Sequence, residues 1–360
     1  MACGKKTAPS LVMCIDREMT DLTMVTARWR EYFEELLNGG NGRATDRIRI
    51  DDDGQAVEPP TLDEVKTAIR GLKNNNAAGK DELPVQFLKY DSEQLYQLLH
   101  RIILTIWEEE ELPASWLDVL ICPPYKKGHR LECANYRGTT LLNSPYKILP
   151  GILFHRLRSI EESSVGQYQA GFREGRSTFT LRQIIDKFRE YNLQTHHLFI
   201  EFKAAYGSVK RNELWQITIE HGFPVKLIRL VRVTLGSSKS GVWVADEISS
   251  LFVALDGLKQ GDVLSNLLLN ITLERAIRRA GVQRSGPIVT KSHVLLGFAD
   301  DIDIIGIDRR AVEEAFIPFT RETARIGLMI STTETKYKVV GGQRRVGLAV
   351  VLVKKCGARW

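Results

Sequence analysis

The sequence predicts an α+β protein, and two observations carry that expectation. The stretch His293-Val-Leu-Leu-Gly-Phe-Ala-Asp-Asp-Ile-Asp-Ile-Ile-Gly306 reads as two short buried strands joined by a tight turn, broken at Gly297 and Gly306. His196-His-Leu-Phe-Ile-Glu-Phe202 reads as another buried strand, and segments of helical period surround both.

Each element has its local reason. Thr26 to Leu37 places Trp29, Tyr32, Phe33, Leu36 and Leu37 at helical spacing. The polar run Asp51-Asp-Asp-Gly-Gln-Ala-Val-Glu-Pro-Pro60 reads as a linker. Thr61-Leu-Asp-Glu64 is a capping box that starts a helix with Val65, Ile69 and Leu72 on its apolar face. That helix ends in the loop Asn74 to Asp81, which has a glycine and a lysine but not P-loop spacing, so a surface loop is expected. Gln94 to Glu111 is an amphipathic helix, Val119 to Tyr125 a strand, and Pro145 to Leu157 a further helix. Asn212 to Gly222 reads as a structural helix, and Asp262 as the N-cap of an apolar one, Val263 to Ala280.

Composition narrows the function classes. The chain has 360 residues, long enough for about two domains or one large one with subregions. Its net charge of +6 leans mildly toward an acidic partner such as nucleic acid. No apolar run approaches the length of a membrane span, and the start lacks a signal-peptide core. Five scattered cysteines show neither zinc spacing nor a disulfide framework, which suggests an intracellular protein of cytoplasm or nucleus, not a secreted one.

The chemistry concentrates in carboxylates. Asp300 and Asp301 sit at or beside a hairpin tip, where two adjacent negative charges call for a compensating cation. An isolated Asp-Asp is more often a plain turn former, so the surroundings decide. Glu201 is a lone carboxylate on the other buried strand, where a charge needs a partner. The adjacent histidines 196 and 197, and the pair Lys210–Arg211, are expected to face solvent. Two basic, glycine-punctuated loops precede these strands. One carries Lys126, Lys127, Arg130 and Arg137, the other Arg173 and Arg176, and together they suggest a rim for phosphates. Three carboxylates converging from separate elements are what two-metal phosphoryl chemistry requires.

From about Thr61 to Lys336 the chain resembles the reverse transcriptase of non-LTR retrotransposons of the RTE or Jockey kind. The resemblance rests on eight stretches in the family's order: Leu72-Lys-Asn-Asn-Asn-Ala-Ala-Gly-Lys-Asp81, Tyr125-Lys-Lys-Gly128, Asn135-Tyr-Arg-Gly138, Gln169-Ala-Gly-Phe-Arg173 with Gly175-Arg-Ser-Thr178, Phe199-Ile-Glu-Phe202, Gly257-Leu-Lys-Gln-Gly-Asp262, Phe298-Ala-Asp-Asp301 and Gly327-Leu328. It implies a right-hand polymerase with an antiparallel palm sheet packed on helices, using Mg²⁺, with Mn²⁺ as a substitute. RNA template, DNA primer and deoxynucleoside triphosphates are the implied partners, with no membrane. The implied division is an N-terminal helical extension and linker over 1–60, fingers over 61–190, palm over 191–340 and a C-terminal remnant over 341–360, the thumb largely missing.

By position, the resemblance makes Glu201, Asp300 and Asp301 the metal-binding catalytic set. Tyr206 resembles the steric gate against a ribose 2′-hydroxyl, Gln260 and Gly261 the wall around nucleotide and template, and Lys126 and Arg137 the triphosphate-binding residues. The family has Asp where this chain has Glu201, and commonly Asp where it has Gly207. One extra methylene moves the carboxylate by about 1 Å, which can cost roughly 10²-fold in rate. Val263 and Asn266 replace family prolines, and Glu334 stands where a pyrophosphate-protonating lysine is common. The copy therefore reads as diverged and truncated. The expected function is RNA-directed DNA polymerisation, weakened by Glu201. The alternative is an inactive nucleic-acid-binding protein, and a metal nuclease or cyclase is a distant third.

Overall fold

A computed structural model describes residues 21–39, 56–74, 77–90, 92–173, 179–236, 238–282 and 293–341. The acidic run 51–53, Arg176 and the stretch beyond Gly341 lie outside these. The chain is mixed helix and sheet, as expected, and divides into two compact units. One comprises residues 1–158 and 210–265, the other residues 159–209 and 266–360. Among the described residues, no helix is long and apolar enough to cross a membrane.

In the first unit the helices are α1 (Leu22–Asn38), α2 (Leu62–Gly71), α3 (Val85–Lys89), α4 (Glu93–Glu109) and α5 (Ala114–Leu117). Strands β1 (Asp118–Cys122) and β2 (Thr139–Leu141) follow, then α6 (Ile148–Ser164), which begins in this unit. The predicted capping box forms: Thr61 accepts the Glu64 N–H while Glu64 accepts the Thr61 N–H. Arg156 grips the same Glu64 carboxylate with two 2.8 Å bonds, and hydrogen bonding by Arg156 holds Glu64 below the usual carboxylate range. In α1, Val25, Trp29 and Phe33 point into a core that also holds Ile121, Tyr136, Val242 and Phe252.

In the second unit, α7 (Phe179–Glu190) precedes β3 (Thr195–Ile200) and the short α8 (Ala205–Ser208). The first unit resumes with α9 (Arg211–Glu220), α10 (Val225–Leu235), β4 (Lys239–Val244), β5 (Glu247–Ile248) and β6 (Phe252–Val253). Its sheet has the order β2-β1-β4-β5, with β6 also on β4, and only β1 and β4 run parallel. Then come α11 (Val263–Arg279), β7 (His293–Phe298), β8 (Asp301–Gly306), α12 (Arg309–Arg325) and β9 (Lys336–Val340).

The second unit's sheet is fully antiparallel in the order β7-β8-β3-β9. Helix α12 packs on it, and Phe319 faces Phe202 with ring centroids 6.3 Å apart. Phe188 of α7 packs with Val294 and Ile305, beside Leu181, Ile184 and Leu296.

Two expectations about charged residues are corrected here. His197 is fully buried, not solvent-facing: its Nδ1 meets Asp303 at 2.9 Å and its Nε2 meets the Thr195 hydroxyl at 2.9 Å. Its neighbour His196 is half-buried. Arg211 is also buried, 8% exposed, and donates to the carbonyls of Ala254 and Gly257. Asp303 for His197, and the Ala254 and Gly257 carbonyls for Arg211, come from segments distant in sequence, so no local pattern announced them.

Candidate active site

The acidic hairpin forms as predicted, and its register can be stated. Phe298 pairs with Asp301, which leaves Ala299 and Asp300 as a two-residue turn. Ala299 has φ 58°, while Asp300 is not among the positive-φ residues, so the turn follows the II′ pattern. Asp301 is the exposed first residue of β8, and Asp300 is half-buried at the tip.

Glu201 lies one residue beyond β3, half-buried rather than inside the strand. The β3–β8 ladder ends at Ile200 opposite Ile302, and one more step in the same register sets Glu201 opposite Asp301. Directly opposed residues have Cβ atoms about 4.5–5.5 Å apart and share a face. The backbone therefore brings all three predicted carboxylates to one end of one sheet. Bonds to the segment after α12 fix the Glu201 backbone: Ser331 N–H donates to its carbonyl at 2.7 Å, and its own N–H donates to the Thr335 hydroxyl at 3.3 Å. Among the described residues, no three His, Cys, Asp or Glu side chains are gathered tightly enough to hold a metal ion. Bare carboxylates repel, so alignment of the backbone does not by itself draw the side chains together.

Tyr206 belongs to the same neighbourhood. Its hydroxyl donates to Asn266 Oδ1 at 2.8 Å, and burial, then the nearby Asp300 charge, pushes its pKa well up. Asn266, one of the departures from the family pattern, thus anchors this hydroxyl. Lys203 and Ala204, between Glu201 and Tyr206, turn the chain sharply, with Ala204 at φ 46°.

The remaining predicted residues lie in the first unit. The β1–β2 register continues past the strand ends to the bridge Tyr125–Tyr136. Lys126 N–H donates to Asn135 O, and Arg137 N–H to Pro124 O. Lys126 and Arg137 are therefore diagonal neighbours on one face, roughly 7–8 Å apart at Cα. The tip between them is tied down internally. Asn135 Nδ2 donates to His129 O, the Tyr125 hydroxyl to Gly128 O, and the Tyr136 hydroxyl to Arg130 O. Gln260 O accepts from Thr140 N–H, and Gly261, at φ 119°, lies where a Cβ would stand 3.1 Å from Thr140 O. The next motif residues are buried. Lys259 donates to Thr234 O, and Tyr146 bridges Thr234 O and Asp262. Burial lowers Lys259 to about 7, against a partial upward pull from Asp262. Asp262 caps α11 as predicted, accepting the Leu264 N–H.

Residues 125–346 match the family described as reverse transcriptase (RNA-dependent DNA polymerase). The chain belongs to the reverse transcriptase family. Curated relatives come from mobile elements. A Xenopus laevis transposon TX1 protein, described as an uncharacterized 149 kDa protein, is 24% identical over 71% of this chain and 20% of its own length. The RNA-directed DNA polymerase from mobile element jockey of Drosophila melanogaster is 26% identical over 59% of this chain and 24% of its own length. The Drosophila funebris jockey polymerase is 30% identical over 32% of this chain and 13% of its own length. The chain thus spans less than a quarter of each of these relatives, and it is a reverse transcriptase domain of the non-LTR retrotransposon type.

One family motif has a role that differs from the expected one. In Gln169-Ala-Gly-Phe-Arg173, Arg173 was expected on a phosphate rim, but its side chain is 0% exposed. It binds the Glu162 carboxylate at 2.8 Å and the Gly166 and Gln169 carbonyls. Its charge is spent inside the fold, closing this loop. Gln169, which carried no expectation of its own, contacts the acidic hairpin directly. Its only sequence signal was its place at the head of a family motif.

Proposed function

We propose that this chain is an RNA-directed DNA polymerase domain of a mobile element, extending a DNA primer on an RNA template with deoxynucleoside triphosphates. The observation that carries this reading is the β3–β8 ladder, whose last pair, Ile200 with Ile302, leaves Glu201 and Asp301 as the next residues of the two segments, beside the Asp300 turn. In right-hand terms, the sheet β7-β8-β3-β9 is the palm, and the β1–β2 hairpin belongs to the fingers. Glu201, Asp300 and Asp301 fit a hard divalent cation, Mg²⁺ or Mn²⁺, because they offer only carboxylate oxygens. Bound there, such cations would activate the primer 3′-hydroxyl and stabilise the departing pyrophosphate.

The chain's own residues supply positioning. Lys126 and Arg137, on one face, suit the triphosphate charge. Tyr206, with its hydroxyl fixed by Asn266, presents its ring as a barrier to a ribose 2′-hydroxyl. Gln260 and Gly261 offer closely approachable backbone beside β2 for the nucleotide and template.

Primer extension with Mg²⁺ on an RNA template tests the reading. Incorporation by the native chain that is lost in Asp300→Ala and in Asp301→Ala is the expected outcome. A second reading, a nucleic-acid-binding protein without chemistry, is favoured by Glu201 itself. Salt-sensitive binding of primer–template, with no extension by either the native chain or Glu201→Asp, would establish it.

A further inference from the structure

The turn that carries the carboxylates is made by a residue poorly suited to it. Position 299 has φ 58°, in the left-handed region, at the site where II′ turns take glycine. An alanine there is disfavoured by about 1–2 kcal/mol. The hairpin must therefore be held from outside.

The support is the fully buried Gln169. Its Oε1 accepts the Ala299 N–H at 2.8 Å, and its Nε2 donates to the Ala299 carbonyl at 2.9 Å. One carboxamide thus satisfies both backbone groups of the strained residue, as a neighbouring strand would. The two bonds have opposite polarity, so together they fix which side-chain atom is oxygen. The same Oε1 also accepts the Gly171 N–H at 2.9 Å.

Around Gln169 the chain lies along β7 like an extra edge. Gly297 N–H donates to Tyr168 O at 2.9 Å, and Ala170 N–H to Gly297 O at 2.8 Å. Gly171 comes so close that a Cβ on it would sit 2.1 Å from Ala299 N. The carbonyl of Gly171 accepts from Asn270, whose other partner is Glu161. This assembly ends at Ala299, next in the chain to Asp300 and Asp301. It grips the backbone immediately before them.

We propose that Gln169 is a positioning residue for the carboxylate pair, holding Ala299 in the left-handed turn that aims Asp300 and Asp301 at their cations. This rests on the polymerase reading, which assigns those cations. Loss of a group that orients metal ligands typically costs 10–100-fold in metal affinity or activity.

Mn²⁺ titration of the full chain by electron paramagnetic resonance, with hydrogen exchange at the Ala299 amide, tests the proposal. In Gln169→Ala the amide is expected to lose protection, and Mn²⁺ affinity to fall about 10–100-fold. Adding Ala299→Gly should restore affinity, because glycine holds the turn without the clamp; a general loss of packing would not be rescued in this way. Should Gln169→Ala fail to fold, Gln169→Glu keeps the shape but turns an acceptor toward the Ala299 carbonyl, and the same fall is expected. Unchanged Mn²⁺ affinity in the Gln169 variants, or a fall that Ala299→Gly does not relieve, overturns the proposal. A native chain that binds no Mn²⁺ instead sinks the polymerase reading, and the positioning role with it.

Discussion

Glu201 carries its carboxylate one methylene further from the backbone than an aspartate would, while its own amide and carbonyl are pinned by Thr335 and Ser331. A backbone held on both sides cannot retreat to absorb the added length. Glu201→Asp is therefore expected to raise Mg²⁺-dependent extension, by up to about 10²-fold if the misplacement is near 1 Å. Equal or lower extension by the aspartate variant would show that this glutamate is not what limits the rate. Lys259 supports a second prediction at this scale, about pH. Burial holds its folded value near 7, below the ordinary lysine value of 10.5. Between those values the unfolded chain binds the additional proton, so stability rises with pH across that window. Melting temperatures measured from pH 7 to 9 should climb for the native chain relative to Lys259→Met. A constant difference between the two would contradict the buried-amine account.

Among the elements, α1 contributes core that its position near the start of the chain does not suggest. Trp29 is 1% exposed, stacks near Phe33 with ring centroids 5.8 Å apart, and meets Tyr136 edge-on at 4.9 Å. Trp29→Ala is expected to destabilise the first unit by about 3–5 kcal/mol, read by denaturant melts. The Phe33 ring also explains the glycine closing Asn135-Tyr-Arg-Gly138, since a Cβ on Gly138 would stand 2.7 Å from it. Contacts of this kind mark what the sequence could and could not reveal. Periodicity gave α1, α2, α4 and the hairpin, and turn chemistry placed the acidic pair beside its tip. The β3–β8 register, which ends at Ile200 opposite Ile302, was not legible from either strand alone. Arg173 is satisfied close to home, by Glu162, Gly166 and Gln169, whereas the burial of His197 and Arg211 was not legible, because Asp303 and the Ala254 and Gly257 carbonyls are brought near only by folding. Gln169 was hidden for a similar reason: its partner, Ala299, lies 130 residues away.

For the whole molecule, a net charge of +6 makes nucleic-acid affinity a matter of ionic strength. Binding of primer–template should weaken steeply with added salt. Lys126→Ala and Arg137→Ala should each reduce the log–log slope by about 1 if each contacts a phosphate. Slopes that match the native chain would remove both residues from the binding surface.

The order of strands in the second sheet also bears on how the protein is made. Strand β3 is central, yet both of its neighbours, β8 and β9, are translated about a hundred residues later or more. Until then its amides and carbonyls have no partners within the nascent chain, and an apolar ribbon such as Leu198–Ile200 is a template for foreign strands. Production in cells should therefore depend on chaperones that shield this segment during synthesis. A ribosome stalled before Lys336 would release a polypeptide prone to self-association through the uncovered side of β3.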